Sequence, residues 1–313
     1  VVWGGEFRSE RITSKALYAT ESPYITDFTR LFGNLEWRAR PSVVVNAGAM
    51  AESSSVTGDT LAPRVMVNWH VTPGQTLRVG VSKAFRPPSN YEKFANVRYV
   101  WNGILLGVNT LATGNLDTES VVSHEIGYLG DFPKLGMSID VRAFQEQING
   151  FIRQRNQTLP RDYANDESFA IRGIEYQAKW KPWSGAELVV NQTYSHIDAR
   201  TYLPGEPWWV NLSGTPLAAP KLANSISFTQ KLPSQMTFAL RHHDNGTAAL
   251  TGSGSGSRVA MTRTDVRLSK MLRWGANRGE LALVVENLGQ PYADFSPEFE
   301  FRRRAYVSLR LDN

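Results

Sequence analysis

Cysteine is missing from all 313 residues, which excludes disulfides, thiolate zinc clusters and thiol catalysis and is compatible with an oxidising compartment. Long apolar runs are missing too. No stretch approaches the ~20 residues that a membrane helix needs, and mean hydropathy is negative. That excludes helical spans only, because the strands of a membrane barrel alternate and carry about half a helix's apolar density. A sustained helical period is also absent, since glycine, proline and β-branched residues interrupt each window long enough to hold one. Clustered charge is scarce. The net charge of +5 comes from basic residues scattered singly, which argues against a nucleic-acid platform. The densest run, Arg302-Arg303-Arg304, reads as a feature at the start of the last strand.

Motifs for chemistry are lacking as well. His70, His124, His196, His242 and His243 form no helical i, i+4 pair and stand beside no carboxylate at metal-ligand spacing. Adjacent strand residues point to opposite faces, so His242 and His243 are badly placed to share a metal. The tract Gly252-Ser253-Gly254-Ser255-Gly256-Ser257 has neither the lysine nor the strand-to-helix context of a phosphate loop, and reads as an outer loop. No metal, no covalently bound cofactor and no enzymatic reaction are expected.

What is present is an alternation of connections. Tight turns at Arg40-Pro41-Ser42, Thr72-Pro73-Gly74, Asp131-Phe132-Pro133-Lys134, Lys181-Pro182-Trp183-Ser184-Gly185 and Leu232-Pro233-Ser234 take turns with long polar stretches. Those stretches are Glu52–Thr60, Arg86–Thr118, Asn149–Glu167, Arg200–Ala219 and the Gly-Ser tract. An up-and-down barrel in an outer membrane has this asymmetry, with short turns facing the periplasm and long loops facing outward. Between the connections lie period-2 segments such as Leu77–Ser82, Met137–Ala143, Ile174–Trp180 and Ala305–Leu311. Asp140 and Arg142 would then both face the lumen. Trp37, Trp69, Phe132, Trp180, Trp183 and Trp274 all fall near the short turns, as an interfacial belt would.

These features imply an all-β chain: a transmembrane antiparallel up-and-down barrel with about fourteen strands. The expected spans are 1–8, 28–39, 43–51, 62–71, 75–85, 119–130, 135–149, 168–180, 186–198, 220–231, 235–244, 258–271, 279–288 and 301–311. No linker or change of period divides the chain, so residues 1–313 read as one domain. A soluble sandwich or propeller would show the same alternation with the apolar face in a core.

Four motifs carry a family resemblance, which runs from about Leu61 to the end. They are Arg86-Pro87-Pro88-Ser89-Asn90-Tyr91-Glu92; Gly114-Asn115-Leu116-Asp117-Thr118-Glu119 with Glu125-Ile126-Gly127-Tyr128; Arg172-Gly173-Ile174-Glu175; and Val285-Glu286-Asn287-Leu288 with Arg304-Ala305-Tyr306. In this order, the chain resembles the C-terminal part of the barrel of a TonB-dependent outer-membrane receptor. The resemblance implies a barrel of about 22 strands around a plug, residence in the bacterial outer membrane, and a monomer among lipid and lipopolysaccharide. It also implies TonB coupling through an N-terminal segment. Nothing here resembles the plug or the TonB-contacting segment, so the chain is expected to be a portion of a longer protein.

The resemblance further implies uptake of a scarce nutrient, with a ferric siderophore or other iron chelate as first choice and vitamin B12, haem or an oligosaccharide as alternatives. A passive porin or adhesin barrel is the reading outside that class. Candidate ligand contacts are Arg98, Tyr99 and Trp101 in the longest loop, Arg153, Arg155 and Arg161 in the next, and Trp208 and Trp209 in a third. Rings stack on planar ligands and guanidinium groups hold anionic oxygens.

Overall fold

The computed structural model describes every residue except 155–158, 200–218, 250–257, 276, 295–297 and 313. In chain order it contains β1 (Val2–Ile12), α1 (Lys15–Tyr18), β2 (Tyr24–Arg40), β3 (Val43–Ser54), β4 (Gly58–Thr72), β5 (Gln75–Arg86) and α2 (Asn90–Phe94). There follow β6 (Asn96–Trp101), β7 (Ile104–Leu111), β8 (Glu119–Phe132), β9 (Met137–Gln154), β10 (Tyr163–Trp180), β11 (Ala186–Ala199) and β12 (Leu222–Leu232). The chain ends with β13 (Met236–Ala249), β14 (Arg258–Trp274), β15 (Asn277–Glu286), β16 (Tyr292–Ala293), β17 (Glu300–Phe301) and β18 (Arg304–Asp312). Fourteen of these strands make one sheet, in the order β1-β2-β3-β4-β5-β8-β9-β10-β11-β12-β13-β14-β15-β18. Every pairing along it is antiparallel. This is the up-and-down meander expected from the turns, with all fourteen expected spans falling on its strands.

Register fixes the two faces. One row across the wall reads Val67, Val79, Ile126, Ala143, Ile174, Tyr194; the adjacent row, one residue away on every strand, reads Asn68, Arg78, Gly127, Arg142, Glu175, Thr193. A one-residue slip would exchange them wholesale, which is why period-2 patterning specifies register so strongly. The apolar row is bare: Val79 is 55%, Ile126 57% and Ile174 51% exposed, as is Val307 at 67% on the same face of β18. In water so continuous a patch would drive association; in lipid it is the contact surface. Asp140 and Arg142 share the opposite, lumenal face, and His242 and His243 fall on opposite faces. Trp37, Trp69, Trp180 and Trp274 lie on the apolar face near the short turns and are each at least two-fifths exposed, an interfacial girdle.

The loop end departs from expectation in three places. Glu52–Thr60 is no long loop: Glu52 pairs with Thr60 and Ser54 with Gly58, leaving only residues 55–57 as a turn. Asn149–Glu167 is mostly strand, since β9 runs to Gln154 and β10 starts at Tyr163. Strands β2 and β13 likewise outrun their expected spans. Above the membrane both faces of a strand meet water, so the polar-apolar alternation that marks a strand disappears while its hydrogen-bond ladder continues. Third, the stretch 87–118 is folded, holding α2 and the β6–β7 hairpin. The expected spans 200–219 and 252–257 fall almost wholly outside the described residues.

Candidate functional site

Arg86 ends β5 and organises the loop end. Its Nε and Nη2 donate to the Glu119 carboxylate at 2.6 and 2.7 Å, and its Nη1 and Nη2 donate to Glu92 at 3.2 Å each. Glu119, buried, also accepts the backbone N–H of Ile152. Glu92 is the third residue of α2 and closes a capping box with Ser89, whose backbone N and Oγ donate to it at 2.7 and 2.9 Å. Burial alone would raise the Glu92 carboxyl, but Arg86 and Ser89 together hold it below the usual carboxylate value. The motif residues Arg86, Ser89, Glu92 and Glu119 are thus one bonded unit, with Pro88 buried at its entrance.

That unit ties four connections into a crown. Lys93 Nζ donates to Val56 O at 2.7 Å, and the Phe94 ring stacks on Tyr24 at 4.5 Å, with Tyr18 packed behind at 5.1 Å. On the other side Leu111 N–H donates to Arg161 O and Arg161 N–H to Asn109 O, at 2.9 and 2.8 Å. Asp162 accepts from Thr113, while the Asn165 amide bridges Asp117 and Gly150. Gly114 takes φ +76° with its Cβ direction 3.2 Å from Lys93 O, a conformation that favours glycine. Its neighbour Asn115 is exposed.

From this crown the β6–β7 hairpin projects, turned by Asn102 (φ +50°) and Gly103 (φ +80°). Its end is apolar and open: Trp101 is 67% and Leu106 67% exposed, with Tyr99, Val100, Ile104 and Leu105 beside them. Tyr99 Oη accepts from Asn109 at 3.1 Å. Arg98 bonds Asn96 through Nε at 2.8 Å and has no ion-pair partner among the described residues. Arg153, by contrast, is committed to Asp166 at 2.8 Å and faces the buried Glu167. Arg155, Trp208 and Trp209 lie outside the described residues.

Below the crown, the lumenal wall carries a ladder of charge that sequence reading reached only through Asp140 and Arg142. Arg78 contacts Asp140 at 3.2 Å and Glu125 at 3.8 Å; Arg142 contacts Glu125 at 3.3 Å and Glu175 at 3.0 Å. The ladder borders a recess of about 260 Å³. Gly127 makes room for it, since a Cβ there would sit 2.4 Å from Arg78 Nε; at Gly173 one would meet Phe144 and Tyr194 O at 2.6 Å. Strand parity combined with register was the signal that could have found these pairs. Of the other motif residues, Tyr128 and Arg172 lie on the lipid face.

The last loop closes on Asn287, which is fully buried with φ +53°. Its Nδ2 donates to Gln290 O and Phe301 O at 3.1 Å, and its N–H to Asp265 at 2.9 Å. Leu288 N–H donates to Thr264 O at 2.8 Å, and Tyr306 Oη to Glu286 at 3.4 Å. The run of arginines is engaged at this mouth: Arg302 pairs with Glu300, Arg303 donates to Leu288 O, and Arg304 lies over the Phe301 ring. No group of acidic residues and histidines able to hold a metal occurs among the described residues.

Compared with known proteins, residues 2–288 match the family model described as TonB dependent receptor-like, beta-barrel, so the likeness begins well before Leu61. Among solved structures, the siderophore receptor PirA from Pseudomonas aeruginosa aligns over 99% of this chain and 53% of its own, with 14% identity and TM-score 0.73. PirA from Acinetobacter baumannii aligns over 99% and 52%, with 15% identity and TM-score 0.72. A variant of the ferric enterobactin receptor PfeA from Pseudomonas aeruginosa, in complex with enterobactin, aligns over 99% and 51%, with 13% identity and TM-score 0.74. Identities this low establish a shared fold, and the chain spans about half the length of each structure. A comparison with curated proteins finds no match.

Proposed function

The chain belongs to the TonB-dependent receptor β-barrel family, and on that premise we propose that it serves uptake of a ferric siderophore across the bacterial outer membrane, with energy supplied through TonB. The observation that carries this reading is the crown. A hairpin bearing exposed rings and the guanidinium of Arg98, which has no ion pair among the described residues, stands on a bonded base above a charged lumenal wall. Bulky anionic chelates with aromatic groups need such a vestibule, because stacking and charge-assisted bonds act on them together. Structural neighbours named as siderophore receptors support the choice of ligand class. We further place these strands in the C-terminal part of a barrel of about 22 strands around a plug; the outer strands of the sheet, β1 and β18, would meet further strands of the same receptor.

Titration of the full-length receptor with ferric catecholates, ferric hydroxamates, haem and cobalamin tests this. One ferric siderophore should bind, and Trp101→Ala should weaken it by about 1–2 kcal/mol. Binding of none of the iron chelates removes the siderophore reading, and nutrient flux indifferent to TonB removes the energy coupling.

A further inference from the structure

Where the crown sits decides what its hairpin can meet. Residues 87–90 share a small recess with Arg8, Thr26, Phe28 and Ser54, and Thr26 Oγ1 donates to Asn90 Oδ1 at 3.3 Å. Thr26, Phe28 and Ser54 are buried. Parity puts these positions on the lumenal face of β1–β3, in line with Arg38, Val44 and Asn68. The stretch 87–118 therefore folds into the mouth of the lumen, and its other side is held by Arg161, Asp162 and Asn165 around the start of β10. The β6–β7 hairpin is rooted inside that mouth.

Both faces of the hairpin are apolar at its tip. Cross-strand partners share a face, so Trp101 stands with Ile104 and, two residues back, with Tyr99; Val100 stands with Leu105 on the other face, and Leu106 is the extra residue of a bulge. All six are more than half exposed, forming a contiguous patch of the kind that marks a binding surface. Charge around it is balanced. Among the described residues of 86–118 and 149–167, Arg86, Lys93 and Arg153 are committed to Glu92 and Glu119, to Val56 O and to Asp166. Arg98 and Arg161 then remain without an ion pair among the described residues, against the carboxylates of Asp117 and Asp162, which have none either.

We infer that the chelate taken up carries a hydrocarbon chain and that the β6–β7 hairpin grips this chain. The inference rests on the uptake reading and narrows it to amphiphilic chelates. A compact, highly anionic chelate held by charge needs a surplus of cations. The mouth offers no surplus, and its largest free surface is hydrocarbon. Each methylene removed from water there is worth about fourfold in affinity. A flexible chain can follow both faces of the tip, whereas a rigid ring system covers one; the iron-binding head is left to Arg98.

The test uses full-length receptor in nanodiscs, with uptake of the probes by empty nanodiscs subtracted. The probes are a ferric tris-catecholate and a ferric tris-hydroxamate, each made with an acetyl and with an octanoyl group. With the head that binds, the octanoyl form should bind about tenfold or more tightly than the acetyl form. Leu105→Ser with Leu106→Ser, both exposed and so tolerated by the fold, should bring the two forms to within about threefold of each other. Equal affinity of the two forms in the parent protein, or tighter binding of the acetyl form, overturns the inference and leaves the siderophore reading standing. A preference that survives the double substitution overturns the role of the hairpin. Binding of neither head in either form removes the siderophore reading, and this inference with it.

Discussion

Val79 and Arg78 are neighbours on β5, yet one faces lipid and the other joins an ion ladder in the lumen; in this wall, parity alone decides a residue's surroundings. In the crown parity decides little. There Arg86, Ser89, Glu92 and Glu119 are brought together from β5, the start of α2 and β8 by directional hydrogen bonds. The wall is held by a continuous backbone ladder and its solvent; the crown is held by a few side chains. Substitutions should therefore spread their damage along the wall but confine it in the crown.

The largest effect belongs to the wall. Val79→Arg should cost about 2–4 kcal/mol if the site lies near the bilayer midplane, while Arg78→Gln, one residue away, should cost clearly less. Folding titrations from denaturant into lipid vesicles measure both, and equal damage would break the contrast. Next comes the crown: Glu119→Ala removes the acceptor of Arg86 and of the Ile152 N–H. It should cost about 1–3 kcal/mol of local stability. Hydrogen exchange should then speed in residues 87–118 and 150–154 but not along β12–β15.

A smaller effect is expected from acid. Because the Glu92 carboxyl is held below its ordinary value of 4.5, its contribution is complete above that value and fades as pH falls through the folded one. Crown exchange, corrected for its intrinsic pH dependence, should rise in the parent protein as pH falls below 4.5. In Glu92→Gln it should already be faster at neutral pH and then change little. Smallest of all, Trp101→Ala should leave folding stability within about 0.5 kcal/mol, since the ring is exposed.

The same contrast explains what the sequence made legible. All fourteen wall strands could be read, because lipid on one side and water on the other print the period into the residues themselves, as in Met137–Ala143. Glu52–Thr60 was misread because a polar strand above the membrane looks like a loop, although its pairing with β4 is unbroken. The arginine, serine and glutamates of the motif were visible as letters, but their bonding was not, since Glu119 is brought to Arg86 by strand pairing rather than by proximity in the chain. The lumenal ladder needed register as well as parity.

The absence of cysteine from these 313 residues makes the central claim directly measurable. Single cysteines at positions 76 to 82 of the full-length receptor, with any others removed, can carry nitroxide labels in a bilayer. Accessibility to oxygen, which partitions into lipid, should peak at 77, 79 and 81, and accessibility to a water-soluble nickel complex at 76, 78, 80 and 82. A flat profile, or the opposite phase, would contradict a lipid-facing wall with this register.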